Sequence, residues 1–312
     1  MIVALAGGVG AARFLRGLVR VVPPEEITVI VNTADDEVFH GLSVSPDLDT
    51  ITYTLAGAEH PEQGWGRAGE SFRTIEALSR FGATPWFRLG DLDIATHLFR
   101  TERLRDGATL SEVTREITAS WGIKTLLIPM TDDAVGTRLT VEREDAKTEV
   151  LRMQEWFVKE RTAPTVRKVE FDGASNSVPA PGVLDAIAGA ERIIICPSNP
   201  VISIGPILSI PGIEDALIAR RSSVIGISPI IAGETVKGPA DRLMQSLGIE
   251  VSCVGVADTY SRFCSTLIID ERDASRCDDV EAHGVHAVVA QTLMSDPDVA
   301  ASLARSVLEA IK

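Results

Sequence analysis

The chain lacks several features that would settle its function early. Its 312 residues hold four cysteines, Cys196, Cys253, Cys264 and Cys277, and no two of them form a CxxC pair. That argues against a zinc ribbon or a disulfide framework and fits a reduced, cytoplasmic protein. No lysine- or arginine-rich run occurs, and the formal net charge is −14, so nucleic acid and anionic membranes are excluded as partners. No apolar run approaches the roughly 20 residues of a membrane span. The start, MIVALAGG, has no basic segment of the signal-peptide type. No Ser-His-Asp or Cys-His arrangement stands out, which leaves acyl transfer unsupported. His283 and His286 have no carboxylate or cysteine at metal spacing and receive no role.

What is present is an α/β pattern. IVALA, a glycine turn, the helical ARFLRGLVRVV and the buried run ITVIVN make a β-α-β opening. The runs KTLLIPM, RIIICPS, SVIGISPII, IEVSCVGVA and STLIID have strand length. They alternate with the helical PGVLDAIAGA, GIEDALIARR and PADRLMQSL. A Rossmann-like, mostly parallel sheet with helices on both faces is expected. Between about His60 and Trp121 the rhythm breaks into three helical patterns, the last opened by a capping box of Thr109 and Glu112. Residues 60–121 are therefore read as a small helical insert over the active-site edge of a core made of 1–59 and 122–312. TRLTVERED followed by AKTEVLRMQEWFV fits either a hairpin or a helix.

Gly7, Gly8 and Gly10 lie between the first strand and its helix, where a backbone can approach a diphosphate; a purely structural turn is the alternative. The third small residue of the dinucleotide fingerprint is missing, and no GK[ST] follows. Arg13, one turn into the helix, reaches the same anion or points to solvent.

The second strand ends near Asn32, and VNTADDEVFHGLSVSPDLDT then gathers Asp35, Asp36, Glu37, Asp47 and Asp49. Ser45, Pro46, Asp47 and Asp49 also suit an N-cap, first residue and first-turn acids of a helix, worth roughly 0.3–1 kcal/mol per charge. That leaves Asp35 and Asp36 over. Hard oxygens beside a phosphate-binding turn are what Mg2+ uses, so a shared magnesium ion is the candidate relief for the crowding. Ser198 and Asn199 in CPSNPVISIGPIL, and Lys237 with Gly238 in SPIIAGETVKGPADRL, either shape turns or bind an anion. Arg88, Asp91, Asp93, Thr96 and His97 in RLGDLDIATH either end a helix or serve a ligand.

Taken together and in order, GGVGAARFLRGL, NTADD, HGLSVSPDLDT, RLGDLDIATH, CPSNPVISIGPI and SPIIAGETVKGPA resemble the 2-phospho-L-lactate transferase family, which makes the deazaflavin coenzyme F420. The resemblance implies a Mg2+-dependent transferase. It would move a phospholactyl or related three-carbon phospho-acid group from a guanosine diphosphate donor to the terminal ribityl hydroxyl of 7,8-didemethyl-8-hydroxy-5-deazariboflavin, releasing GMP. It further implies that Gly7, Gly8, Gly10, Arg13, Asn32, Ser198 and Asn199 hold the nucleotide, and that Asp49, Arg88, Asp91 and His97 face the acceptor. Asp35, Asp36, Asp47 and Asp49 would hold the metal, with Asp47 and Asp49 catalytic. Replacing Asp49 by Asn is expected to depress turnover far more than folding. Some members carry GGTG and a lysine where this chain has GGVG and Arg13. The donor acid is therefore open among lactyl, enolpyruvyl and glyceryl. Two rivals remain: a non-catalytic regulator that binds nucleotide sugars, and a nicotinamide dehydrogenase. The partners are small molecules, and a homo-oligomer is compatible with the sequence.

Overall fold

The computed structural model describes residues 1–82, 86–143 and 145–310. Seven strands form the main sheet: β1 (Ile2–Ala6), β2 (Ile27–Val31), β3 (Leu126–Pro129), β4 (Arg192–Ile195), β5 (Val224–Ile227), β6 (Thr266–Asp270) and β7 (His286–Ala290). Their order is β7-β6-β5-β4-β1-β2-β3, and every neighbouring pair is parallel. This is the doubly wound arrangement, with its direction of winding reversed between β1 and β4. The apolar runs demanded such a sheet, because strands buried on both faces leave no polar side. In β1, Ile2, Ala4 and Ala6 enter one core while Val3 and Leu5 enter the other.

Helix α1 (Gly8–Leu18) covers one face through Ala11, Ala12, Phe14, Leu15 and Leu18, which lie along one stripe at helical spacing. It shares that core with Leu48 and Ile51 of α2 (Pro46–Leu55) and with Leu303, Ala304 and Val307 of the last helix, Pro297–Glu309. The other face is covered by helices that include Val183–Gly189, Ile213–Ala219 and Cys253–Tyr260. The last of these corrects an expected strand. IEVSCVGVA is apolar enough for either element, but the Ser252 hydroxyl accepts the Val254 and Gly255 amides and starts a helix there. HAVVA, β7, was not anticipated as a strand.

The ambiguous stretch resolves as a hairpin. Gly136–Glu142 pairs antiparallel with Thr148–Arg152 on one side and Thr165–Asp172 on the other, packed on Trp156, Ile202 and Leu243. Between 60 and 121 lie α3 (Arg73–Leu78), α4 (Asp91–Arg105) and α5 (Leu110–Ser120), the last with both halves of the Thr109–Glu112 capping box formed. α5 lies against β3. α3 shares a small core with the hairpin Glu37–Phe39/Leu42–Val44, where Phe39 stacks on Phe87 with ring centroids 3.8 Å apart. That contact ties the acid-rich loop after β2 to the segment preceding α4. Among the described residues no single helix is long and apolar enough to cross a membrane.

Candidate active site

A cavity of about 630 Å³ opens at the carboxyl edge of the sheet. It is lined by loops that follow β1 (Gly7–Gly10), β2 (Asp35), β4 (Pro197–Asn199), β5 (Ser228, Pro229) and β7 (Thr292–Met294). In a doubly wound sheet this is where strand directions part and a ligand crevice forms, and the volume suits a small-molecule substrate.

The glycine turn is tight for reasons of packing. A Cβ on Gly10 would sit 2.2 Å from the Pro197 carbonyl oxygen, and one on Gly7 would sit 2.7 Å from a carboxylate oxygen of Asp47. Gly10 therefore lets α1 close against the loop after β4, as a packing glycine of such turns does. The first amides of the turn are already engaged: Gly7 N–H donates to Ser198 Oγ at 3.3 Å and Gly8 N–H to Asp47 Oδ1 at 2.9 Å. The position where a helix start usually receives a phosphate thus holds a carboxylate.

Asp47 is 7% exposed, and its second oxygen accepts from Asn32 Nδ2 at 2.9 Å. Burial pushes its carboxyl up to about 6, against the opposing hydrogen bonds from Asn32 and Gly8. Asp35 is pushed well above the usual carboxylate range by burial, then by the charges of Asp47 and Asp36. Asp36 is raised by burial too, against a hydrogen bond from Ser45 Oγ at 2.5 Å. One oxygen of Asp35 and one of Asp36 are buried with no hydrogen-bond donor. Unpaired oxygens on crowded carboxyls are costly, and a hard divalent cation satisfies them. The donor set after β2 therefore fits Mg2+, with Asp35 and Asp47 the members that line the cavity.

Asp49 belongs to a different cluster. It is 5% exposed and ion-paired to Arg100, which is 2% exposed and engages both carboxylate oxygens. Arg100 also lies 3.2 Å from His97 Nδ1 and donates to the Ser43 carbonyl at 3.3 Å. His97 Nε2 is 3.2 Å from Asp93, whose other oxygen accepts from Tyr53 Oη at 2.6 Å. Burial drives Asp93 upward, yet its bond to His97 and the neighbouring cations hold it below the ordinary value. Asp49, Asp93 and His97 are the one trio among the described residues whose metal-type atoms all lie within 4.8 Å of each other. Because a guanidinium already compensates Asp49, a second cation is less needed here than beside Asp35 and Asp47.

Of the anticipated residues, Gly7, Gly8, Gly10, Arg13, Asp35, Asp47, Asp49, Arg88, His97, Ser198 and Asn199 all line the cavity. Asn32, Asp36 and Asp91 do not. Asn32 is fully buried, bonded to Asp47 and accepting the Ala34 amide, so it holds Asp47 rather than a ligand. Asp91 accepts from Ser71 Oγ and from the amides of Arg73 and Thr74, and so ties the start of α3 to that of α4 instead of facing an acceptor. Asn199 accepts the Val201 and Ile202 amides, which leaves its Nδ2 as the free polar group. Arg88 lies over the Phe72 ring, 4.4 Å from its centroid. Tyr53 and Arg100 were missed. Both are apolar-run or helix-surface positions by pattern, and only the crossing of α2 with α4 makes them neighbours.

A parallel α/β sheet with an acid-rich crevice at its winding switch defines a small-molecule-binding protein of Rossmann-like build. The model of the family 2-phospho-L-lactate transferase CofD matches residues 2–304, so the chain belongs to that family, transferases of F420 biosynthesis. It is 44% identical over 310 residues to a phosphoenolpyruvate transferase of Streptomyces griseus, covering 99% of this chain and 97% of that one. It is 38% identical over 305 residues to the 2-phospho-L-lactate transferase of Methanosarcina mazei, covering 98% of each. Among solved structures, protein BH3568 of Bacillus halodurans superposes with a TM-score of 0.63 at 18% identity, covering 98% of each chain, a likeness of fold.

Proposed function

We propose that this chain transfers a three-carbon phospho-acid from a guanosine diphosphate donor to the terminal ribityl hydroxyl of 7,8-didemethyl-8-hydroxy-5-deazariboflavin. The hydroxyl oxygen attacks the phosphorus that bears the acid and gives its proton to an aspartate of the cavity wall, the diphosphate P–O bond breaks, and GMP leaves with the bridging oxygen. The carrying observation is the carboxylate on the first amide of α1: a diphosphate is accommodated beside Asp47 only with a cation between them. Mg2+, when bound, would neutralise the charge that builds on the bridging oxygen.

Asp35 and Asp47 would hold that ion, and Asn32 fixes Asp47 for the purpose. Asp49, locked by Arg100, would accept the hydrogen bond of the acceptor hydroxyl and orient it, with His97 and Arg88 on the same wall. Holding reactants in line supplies much of the acceleration in phosphoryl-type transfer. The enolpyruvyl donor is the favoured one, because phosphoenolpyruvate transferases of Streptomyces griseus and Streptomyces avermitilis are each 44% identical to this chain. Incubation with deazaflavin, Mg2+ and each candidate donor, followed by mass analysis, tests the reading. A deazaflavin product heavier by the phospho-acid, with equimolar GMP, is expected. Stoichiometric nucleotide binding without GMP release would instead mark a regulator.

A further inference from the structure

Three cations on the cavity wall, Arg13, Arg88 and Lys237, form no ion pair among the described residues; Arg88 lies over the Phe72 ring, and the other two meet at one turn. Arg16 of α1 is paired with Glu59 at 2.5 Å, but Arg13, one turn earlier, forms no ion pair among the described residues, and neither does Lys237. Both line the cavity. In a chain of formal net charge −14, cations left uncompensated in a concave site mark a place for an anion. Arg13 and Lys237 converge on one turn. Lys237 Nζ donates to the Gln63 carbonyl, and the space beside Gly64 is occupied by Val9 and the Arg13 guanidinium, 3.6 Å from where a Cβ would stand. The same turn thus brings together a helix of the core and the loop after the hairpin Ile230–Ile231/Glu234–Thr235.

Resting on the donor proposed above, we infer that Arg13 and Lys237 form a clamp for the carboxylate of the donor's three-carbon acid. The diphosphate is served elsewhere: Asp47 and Asp35 at Gly7 and Gly8 call for a divalent cation, and the diphosphate provides that cation's remaining ligands. The carboxylate is the one donor anion left without a counter-charge. Arg13 offers a planar fork that matches it in two bonds, and Lys237 keeps two of its three donors after the Gln63 contact. Burial and the nearby Arg13 charge both push the Lys237 ammonium below its ordinary value, a repulsion that an anion between them relieves. The clamp makes the acid, rather than the nucleotide, what this chain selects.

Calorimetry with Mg2+ present tests it, using GDP, the guanosine diphosphate derivative of the enolpyruvyl acid favoured above, and the methyl ester of that compound. The wild type is expected to bind the free acid about 10- to 100-fold more tightly than the methyl ester, the scale of charge-assisted hydrogen bonds. Arg13→Met and Lys237→Met should each erase most of that preference while GDP binding stays within about threefold. Arg13→Lys, which keeps the charge but loses the fork, should retain part of it. Equal binding of acid and ester by the wild type, with GDP bound normally, would overturn the clamp alone. So would variants that weaken GDP as much as the acid, since the cations would then be holding phosphate. A wild type that binds none of the three would overturn the donor reading and the clamp together.

Discussion

Removing Arg100 should cost more than any other single change at this site. Its guanidinium is 2% exposed and compensates Asp49, itself 5% exposed, while also contacting His97 and the Ser43 carbonyl. Arg100→Met is nearly isosteric in its stem, so the packing loss is small and the main effect is a buried carboxylate without its counter-charge. Breaking one partner of such a pair costs about 3–5 kcal/mol, whereas removing both charges is far cheaper. A native domain has about 5–15 kcal/mol in hand, so the variant should fold but unfold at markedly lower urea. Asp49→Asn alone should be destabilised as well, because the arginine is then orphaned. The change is thus expected to lower stability as well as turnover, where the sequence alone suggested an effect mainly on turnover. Urea unfolding of both single variants and of Asp49→Asn/Arg100→Met gives the coupling directly. A double variant more stable than Arg100→Met by about 1 kcal/mol or more supports the reasoning. Single variants that are each within about 0.5 kcal/mol of the wild type, with additive effects, would refute it.

The Asp47 carboxyl, raised to about 6 from an unfolded value near 3.8, contributes stability that is complete below pH 3.8 and lost as pH rises through 6. In EDTA the stability of the wild type relative to Asp47→Asn should fall across that window by on the order of 3 kcal/mol, and Mg2+ with GDP should oppose the fall; parallel melting curves for the two proteins would contradict this. Gly10→Ala drives a Cβ to 2.2 Å from the Pro197 oxygen and should lower stability by about 1–3 kcal/mol by overpacking, as measured in denaturant. Asp91→Asn should lower the melting temperature through the loosened starts of α3 and α4 while leaving the KM for the deazaflavin unchanged. Arg88→Ala should raise that KM with little change in melting, since Arg88 is exposed on the cavity wall.

Local pattern carried the reading of the sequence a long way. The β-α-β opening, the parallel sheet and the capping box at Thr109 each depend on residues a few positions apart, and each is present. The acids of 35–49 were visible as a group because they are close in sequence. Their division into two clusters was not, since it depends on Arg100 and Asp93 arriving from α4, some 50 residues on. Asn32 was read as a ligand contact because it ends a strand on the working edge; only the fold shows that Asp47 occupies its amide. IEVSCVGVA failed for a simpler reason. A short, wholly apolar run carries no period, and the deciding signal was the Ser252 cap.

The helix that bears the glycine turn shares its core with the last helix, through Phe14, Leu15 and Leu18 against Leu303, Ala304 and Val307, and Arg20 reaches Asp298 at 2.7 Å. During synthesis, then, the ribosome delivers the glycine turn among its first residues and withholds the surface it rests on until almost three hundred more have emerged. Nascent chains stalled before residue 297 should leave α1 with an open apolar stripe, a target for chaperones rather than for substrate.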